Sequence, residues 1–201
     1  MGNRAVITTE DETMGIYLHW NGGYDSVNAF LKYCELQEFR TPTGDLTYGF
    51  ARLTQVICNF FHGGLSCGVG PIKKLDCDNG DNGVYIIKDW EIVGRKYHDG
   101  PEQTSYDLLE MLKEIDRSQP EHMRIGDELE QKCVEKGWLG PKFKIGEKVK
   151  VKTPNPNSDE KIEGTIIGAW KEDGKQGYTI EIGYDHSSWF YSEEQVEKND
   201  D

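Results

Sequence analysis

The chain contains 201 residues, of which 36 are Asp or Glu and 23 are Lys or Arg, so its formal net charge is −13. A hydrophobic content of 36% with 11% aromatic residues is sufficient for a folded core. We find no apolar segment typical of a membrane span or a secretory signal, and therefore expect a cytoplasmic protein. The acidic excess also argues against broad, sequence-independent binding to nucleic acid.

The first third of the chain predicts a hairpin followed by two helices. Strands are indicated at residues 5–9 and 15–20, where β-branched and aromatic residues flank the polar turn EDET. Apolar residues then recur at spacings of three and four, which predicts helices over residues 24–36 and 46–61.

The next segment predicts a second hairpin and two acidic helices. The hairpin strands are expected at residues 84–87 and 90–97, and the helices at 105–117 and 125–135. We therefore predict an α+β domain of hairpins plus about four helices over residues 1–140.

A Gly/Pro-containing stretch at residues 136–141 indicates a domain boundary, and residues 141–201 form the predicted second domain. Its β-rich pattern opens with Lys148, Lys150 and Lys152 alternating with two valines, typical of a half-buried strand. Further strands are expected at residues 162–170, 178–184 and 188–191, before a short closing segment at 193–196. The two domains carry net charges of −9 and −4.

Two groups of residues have side chains of the types that can bind metal ions. Asp76, Asp78 and Asp81 are close in sequence, but their Asn-Gly and Asp-Asn-Gly neighbours are strong turn formers. Cys58 with His62, Cys67 and Cys77 lacks the closely paired ligands of structural zinc sites. We therefore predict that the aspartate loop forms a turn, that the cysteines are reduced thiols, and that the protein has no cofactor. If a metal is bound, the three aspartates are the candidate ligands.

The sequence His19-Trp20-Asn21-Gly22-Gly23 places a histidine and an aromatic residue between a strand and a helix. This arrangement could form a polar pocket, or Trp20 could cap the core while His19 faces water. Since the chain has no GxSxG, HExxH, P-loop or GxGxxG motif, we favour a non-catalytic protein that contacts a partner through Trp20 and Asn21. In an enzyme, His19 with Asp25 would supply general-base chemistry.

Lys148, Lys150 and Lys152 form a local basic patch, and aromatic residues such as Trp189 follow in sequence. Basic and aromatic side chains together are typical of surfaces that bind RNA or peptides. The alternative is that the lysines form a solvated strand face while the aromatic residues fill the core.

Two resemblances to known families add to this reading. The segments FKIGEKVKV, EGTIIGAW, YTIEI and WFYSEEQVE resemble small SH3-like barrels of the Tudor and KOW type, which bind peptides, RNA or another face of their own protein. The segments GIYLHWNGGYDSVNAFLKYCELQ, YGFARLTQVICNFFHGGLSCGV and DNGDNGVYIIKDWEIVGR resemble a family of accessory proteins carried by phages and plasmids of Gram-positive bacteria. Some members of that group resemble type II anti-CRISPR proteins, which inhibit Cas9 or its guide-RNA loading.

The second resemblance implies an inhibitor of a host defence system, encoded by a mobile element. Its partner would be a basic host protein such as a Cas9-type nuclease, with guide RNA as a further contact. A compact acidic protein suits the positively charged channels of such nucleases. A small nuclease that truncates guide RNA, or a general protein- or RNA-binding module, is the alternative.

Overall fold

The computed structural model describes residues 2–62, 64, 66–139, 143–153, 158, 160–172, 175–183 and 187–199. The chain divides into two compact units, residues 1–130 and 131–201. The boundary expected from the sequence, at residue 140, lies outside the described residues.

The described part of the first unit combines one five-stranded sheet with three helices. In chain order these elements are β1 (Ala5–Thr9), β2 (Met14–Leu18), α1 (Tyr24–Leu36), α2 (Leu46–Phe60), β3 (Cys67–Pro71), β4 (Val84–Lys88), β5 (Glu91–Lys96) and α3 (Leu108–Ser118). A fourth helix, α4 (Leu129–Glu135), begins at the end of this unit. The three helices contact one another. The core is formed by fully buried apolar side chains from both layers, including Ile7, Ile16, Leu18, Phe30, Leu53, Ile57 and Leu112.

The sheet order is β3-β2-β1-β4-β5. Strands β1 and β4 pair in parallel, with Ile7 opposite Tyr85, and all other pairs are antiparallel. The two hairpins indicated by the sequence are thus joined into a single sheet. Strand β3 was not predicted from the sequence, because CGVGP is poor in strand-forming residues and the strand is defined by its pairing with β2.

The α+β class and the four helices are confirmed, with shifts at two helix starts. Helix α3 begins at Leu108 rather than residue 105, because the Asp107 carboxylate accepts a hydrogen bond from the Glu110 N–H (3.1 Å) and caps the helix. Helix α4 begins at Leu129 rather than residue 125, after a single 3-10 turn at Gly126–Glu128.

After α4, the described part of the second unit is all-β. It contains β6 (Lys148–Lys152), β7 (Lys161–Glu172), β8 (Lys175–Ile182), β9 (Ser187–Ser192) and β10 (Val196–Lys198). These form an antiparallel sheet in the order β10-β6-β7-β8-β9. Its core contains Phe143, Val149, Val151, Ile166, Tyr178, Ile180, Ile182, Tyr191 and Val196. Among the described strands, β9 and β10 remain edges, so a closed barrel is not seen there. Tyr184, expected in a strand, lies outside the described residues.

Candidate interaction site at the end of strand β2

The most distinctive surface of the first unit lies where β2 ends. Leu18 is fully buried, whereas His19 and Trp20, the next two residues, are exposed, and 44% of Trp20 is accessible. The His19 carbonyl accepts a hydrogen bond from the Asn3 N–H (3.1 Å), and its own N–H donates to the Ser66 carbonyl (2.8 Å). Because the His19 backbone is bonded through both its N–H and its carbonyl, the chain is held in place where these two side chains begin.

The following turn depends on close backbone packing. Asn21 has a φ of +53°, a left-handed conformation that asparagine tolerates better than most residues. A Cβ atom on Gly22 would lie 2.6 Å from the Asn3 carbonyl oxygen and 2.7 Å from the Ala5 nitrogen. The Gly22 N–H donates to that Asn3 carbonyl (2.8 Å), and its carbonyl accepts from the Tyr85 hydroxyl (3.0 Å). The glycine therefore allows the turn to dock directly on the start of β1.

Three neighbouring rings form what we call the aromatic corner, consisting of Tyr17, His19 and Trp20. The His19 and Trp20 rings make an edge-to-face contact, with centroids 5.1 Å apart and planes at 82°. The Tyr17 hydroxyl lies 3.3 Å from His19 Nδ1, and partial burial raises the pKa of Tyr17. The corner thus presents a large apolar ring next to two groups that form hydrogen bonds.

Charged side chains adjoin the corner. Arg4 Nε donates to Asp81 Oδ2 (2.7 Å), and the Arg4 backbone N–H donates to the same oxygen (3.1 Å). These hydrogen bonds from Arg4 hold the pKa of Asp81 below its usual value. Asp76 lies 3.7 Å from Arg4 Nη1, so the arginine is shared between two carboxylates.

The aspartate loop adopts a turn organised by Asn79. Its side-chain oxygen accepts from the N–H groups of Asp81 and Gly83, both at 3.1 Å, and its amide nitrogen donates to the Asp76 carbonyl (3.1 Å). Asp78 is exposed. Across the described residues, no three His, Cys, Asp or Glu side chains are grouped as a metal ion requires. The metal candidates Asp76, Asp78 and Asp81 therefore do not meet in one coordination site.

Asp25 has a role that the sequence did not reveal. Its carboxylate accepts hydrogen bonds from the backbone N–H groups of Ser26 (2.7 Å), Ser105 (2.7 Å) and Tyr106 (3.0 Å). It thereby holds residues 105–106 against the start of α1. Within the described part of the chain, no hydrogen bond or ion pair joins Asp25 to His19, so the general-base pair considered above is not formed.

A network of hydrogen bonds and ring contacts, which the sequence did not indicate, supports the backbone next to the aromatic corner. Asn3 Nδ2 donates to Gln103 Oε1 (2.9 Å), and Asn82 bonds both to Asn3 Oδ1 (2.5 Å) and to the Arg4 carbonyl (3.1 Å). The Arg95 guanidinium stacks 3.7 Å above the Tyr85 ring and pairs with Glu102. These partners are separated by up to 100 positions in the chain, so no local pattern could have identified them.

In the second unit, the structure separates the residues that sequence analysis grouped. Val149 and Val151 are buried, which confirms the alternation and places Lys148, Lys150 and Lys152 on the opposite face of β6. Lys150 lies opposite Glu163 on β7 and opposite Glu197 on β10. Carboxylates are therefore interleaved with the lysines.

The exposed aromatic residue on the lysine face is Phe190. Trp189 lies opposite buried Ile180, and thus on the core side of the sheet, although 46% of it is accessible. Phe190 lies opposite Thr179 on the other side and is 77% accessible. The sequence WFY could not show this, because alternation alone does not indicate which face is buried.

No family model, curated protein or solved structure that was compared matches the chain. Helices long and apolar enough to cross a membrane do not occur among the residues that the structure describes.

Proposed function

We propose that this protein is a non-catalytic binding protein whose first unit recognises a basic protein surface through the aromatic corner. The observation that carries the proposal is Trp20, a large ring that is 44% accessible and directly follows His19, whose backbone N–H and carbonyl are both hydrogen-bonded. Tryptophan is enriched among residues that dominate binding energy, and a rigid anchor loses little entropy when it binds. The neighbouring His19 and Tyr17 would provide orientation through hydrogen bonds.

Charge supports a basic partner. Residues 1–130 contain 22 acidic and 12 basic residues, a net charge of −10. Electrostatic complementarity of this kind accelerates association and favours partners of opposite charge. The non-catalytic assignment is supported by the engagement of Asp25 with backbone N–H groups and of Asp81 with Arg4.

The partner we propose is a Cas9-type nuclease of a bacterial host, inhibited in the cytoplasm by this mobile-element protein. This step follows the resemblance of residues 1–100 to phage and plasmid accessory proteins. A strongly acidic unit would compete with nucleic acid for the positive channel of such a nuclease. The proposal therefore predicts loss of DNA cleavage while the guide RNA stays intact.

For the second unit we propose an SH3-like module that provides an additional contact to guide RNA. Support comes from the strand order β10-β6-β7-β8-β9, in which the last strand returns to the first after a single 3-10 turn. Phe190, exposed on the same face as Lys148 and Lys150, offers a stacking surface for a base.

The central experiment mixes the full-length protein with a Cas9–guide-RNA complex and target DNA, then measures DNA cleavage, guide-RNA length and complex formation. We expect wild-type protein to bind and to block cleavage, and Trp20→Ala to weaken binding at least about tenfold. Tyr48→Ala is the matched control, because Tyr48 is a 58% accessible aromatic residue on α2. Circular dichroism verifies that both variants are folded.

Each outcome separates a different part of the proposal. If the wild-type protein shortens the guide RNA and the His19→Ala variant does not, the non-catalytic assignment is refuted and the nuclease alternative is favoured. Absence of both binding and inhibition by wild-type protein would refute the Cas9-type partner. Equal losses in Trp20→Ala and Tyr48→Ala would show that the aromatic corner has no special role.

The RNA contact is tested separately by Lys148→Glu combined with Lys150→Glu. If these lysines contact phosphates, affinity for the complex falls and its dependence on salt concentration becomes weaker. Unchanged affinity and an unchanged salt slope would exclude the lysine face as a contact surface.

A further inference from the structure

Two cysteines of the first unit lie unusually close together. Cys58 is on α2 and Cys67 is the first residue of β3, and their Sγ atoms are 3.0 Å apart. Even two carbon atoms, which are smaller than sulfur, pack at about 3.5–4.0 Å. Both residues are half-buried, so small reagents can approach them.

The proximity is fixed by secondary structure at both ends. Cys67 lies opposite Leu18 in the antiparallel pairing of β2 with β3. Cys58 lies within α2, next to the buried Ile57 of the core. The two thiols therefore meet because a helix and a sheet edge pack together, and neither depends on a free loop for its position.

Two other cysteines of the first unit have different surroundings. Cys34 is fully buried, and Cys77 Sγ donates to the Ile72 carbonyl (3.7 Å). Cys77 is half-buried, as Cys58 and Cys67 are, and therefore serves as a matched comparison.

We propose that Cys58 and Cys67 are a redox modification site, which forms a reversible disulfide by exchange with a small disulfide of the glutathione type. One thiolate attacks the small disulfide and forms a mixed disulfide, releasing the first small thiol. The second protein thiol then loses its proton and attacks the protein sulfur of the mixed disulfide, releasing the second small thiol. Two protein thiols are oxidised and one small disulfide is reduced.

Burial and the adjacent Cys58 thiol raise the pKa of Cys67, so little of its thiolate is present near neutral pH. The second step is nevertheless favoured, because the attacking sulfur is already 3.0 Å from its target once the mixed disulfide has formed.

The bond would covalently join the end of α2 to the start of β3 and close residues 59–66 into a loop. The Ser66 carbonyl within this loop accepts the hydrogen bond from the His19 N–H. Oxidation would therefore stabilise the support of the aromatic corner. A short loop of this size restricts the unfolded chain, so Tm of the oxidised protein should rise by roughly 5 °C.

The test treats the full-length native protein with oxidised glutathione, then unfolds it in an alkylating reagent and analyses its peptides by mass spectrometry. We expect a peptide linked through Cys58 and Cys67, with the other three thiols alkylated, a higher Tm, and reversal of both changes by a reducing agent. Cys77→Ser should retain the link and the Tm increase. Each single variant, Cys58→Ser or Cys67→Ser, should lose the internal link and retain glutathione on the remaining thiol.

Three results would overturn the inference. One is full alkylation of both Cys58 and Cys67 under conditions that oxidise a reference dithiol peptide. Another is stable glutathione attachment to wild-type protein without the internal link. The third is a link to Cys77 instead. None of these readouts involves a binding partner, so the result stands apart from the proposed function.

Discussion

In the first unit the Asp25 carboxylate bonds to the distant backbone of Ser105 and Tyr106, whereas in the second unit Lys161 on β7 pairs with Glu197 on β10, on the far side of β6 (2.6 Å). Asp25 is partly buried, while the side chains of Lys161 and Glu197 are each more than half exposed. Removing an acceptor such as the Asp25 carboxylate is costly, because the backbone N–H groups that bonded to it are left without a partner. Exposed pairs contribute little, because water and salt replace them. Asp25 therefore defines backbone geometry in the first unit, whereas the Lys161–Glu197 pair of the second unit acts mainly at the surface.

The largest expected effect is that of Gly22→Ala. The new Cβ would lie 2.6 Å from a backbone oxygen and 2.7 Å from a backbone nitrogen, neither of which can move without displacing β1. We expect the free energy of unfolding to fall by more than about 2 kcal/mol in denaturant titrations. Gly44→Ala is the control, since its Cβ would meet the Thr41 hydroxyl at 3.5 Å and the Thr41 carbonyl oxygen at 3.8 Å, both ordinary contact distances. Equal stability of the two variants would contradict the packing of the turn.

Asp25→Ala should have the next largest effect, about 1–3 kcal/mol, because it leaves three backbone N–H groups without their acceptor. The amides of Ser105 and Tyr106 should also exchange hydrogen faster in NMR measurements. Asp78→Ala removes an exposed carboxylate and should change stability by no more than about 0.5 kcal/mol. Unchanged exchange at residues 105 and 106 would show that Asp25 does not hold this segment.

The Arg4–Asp81 pair makes stability depend on pH. Hydrogen bonding from Arg4 lowers the pKa of folded Asp81, so its contribution is present above the unfolded pKa of about 3.9 and is lost as pH falls through the folded pKa. As pH falls below about 4, the free energy of unfolding should therefore decrease more steeply for wild type than for Asp81→Asn. Arg4→Met should reduce the slope in the same way. If neither variant changes the pH dependence of the free energy of unfolding, the Arg4–Asp81 pair does not contribute to the loss of stability in acid.

The smallest expected effect belongs to the second unit. A double-mutant cycle with Lys161→Ala and Glu197→Ala should give a coupling energy of about 0.2–1 kcal/mol that decreases as salt is added. A coupling as large as the Asp25 effect would abolish the contrast between the two units.

Local patterns in the sequence predicted the helices and strands whose formation depends on signals within their own segment. Helix α1 has the expected bounds, because its apolar residues and the preceding Asn-Gly-Gly turn are both local signals. The glycine-rich β3 became a strand only through pairing with β2, and no local signal could reveal it. The same applies to the candidate site. The exposed motif at His19 and Trp20 was visible in the sequence, whereas the contacts of Asp25 with residues 105–106 were not.

The parallel pairing of β1 with β4 also determines when the first unit can fold during synthesis. The β1–β2 hairpin is complete once Leu18 has left the ribosome, but the other edge of β1 stays unpaired until residues 84–88 emerge. For more than sixty residues of synthesis, the most buried strand of this sheet thus presents open backbone groups. Such an edge is prone to aggregation, so the yield of soluble protein should depend on how quickly residues 19–88 are translated.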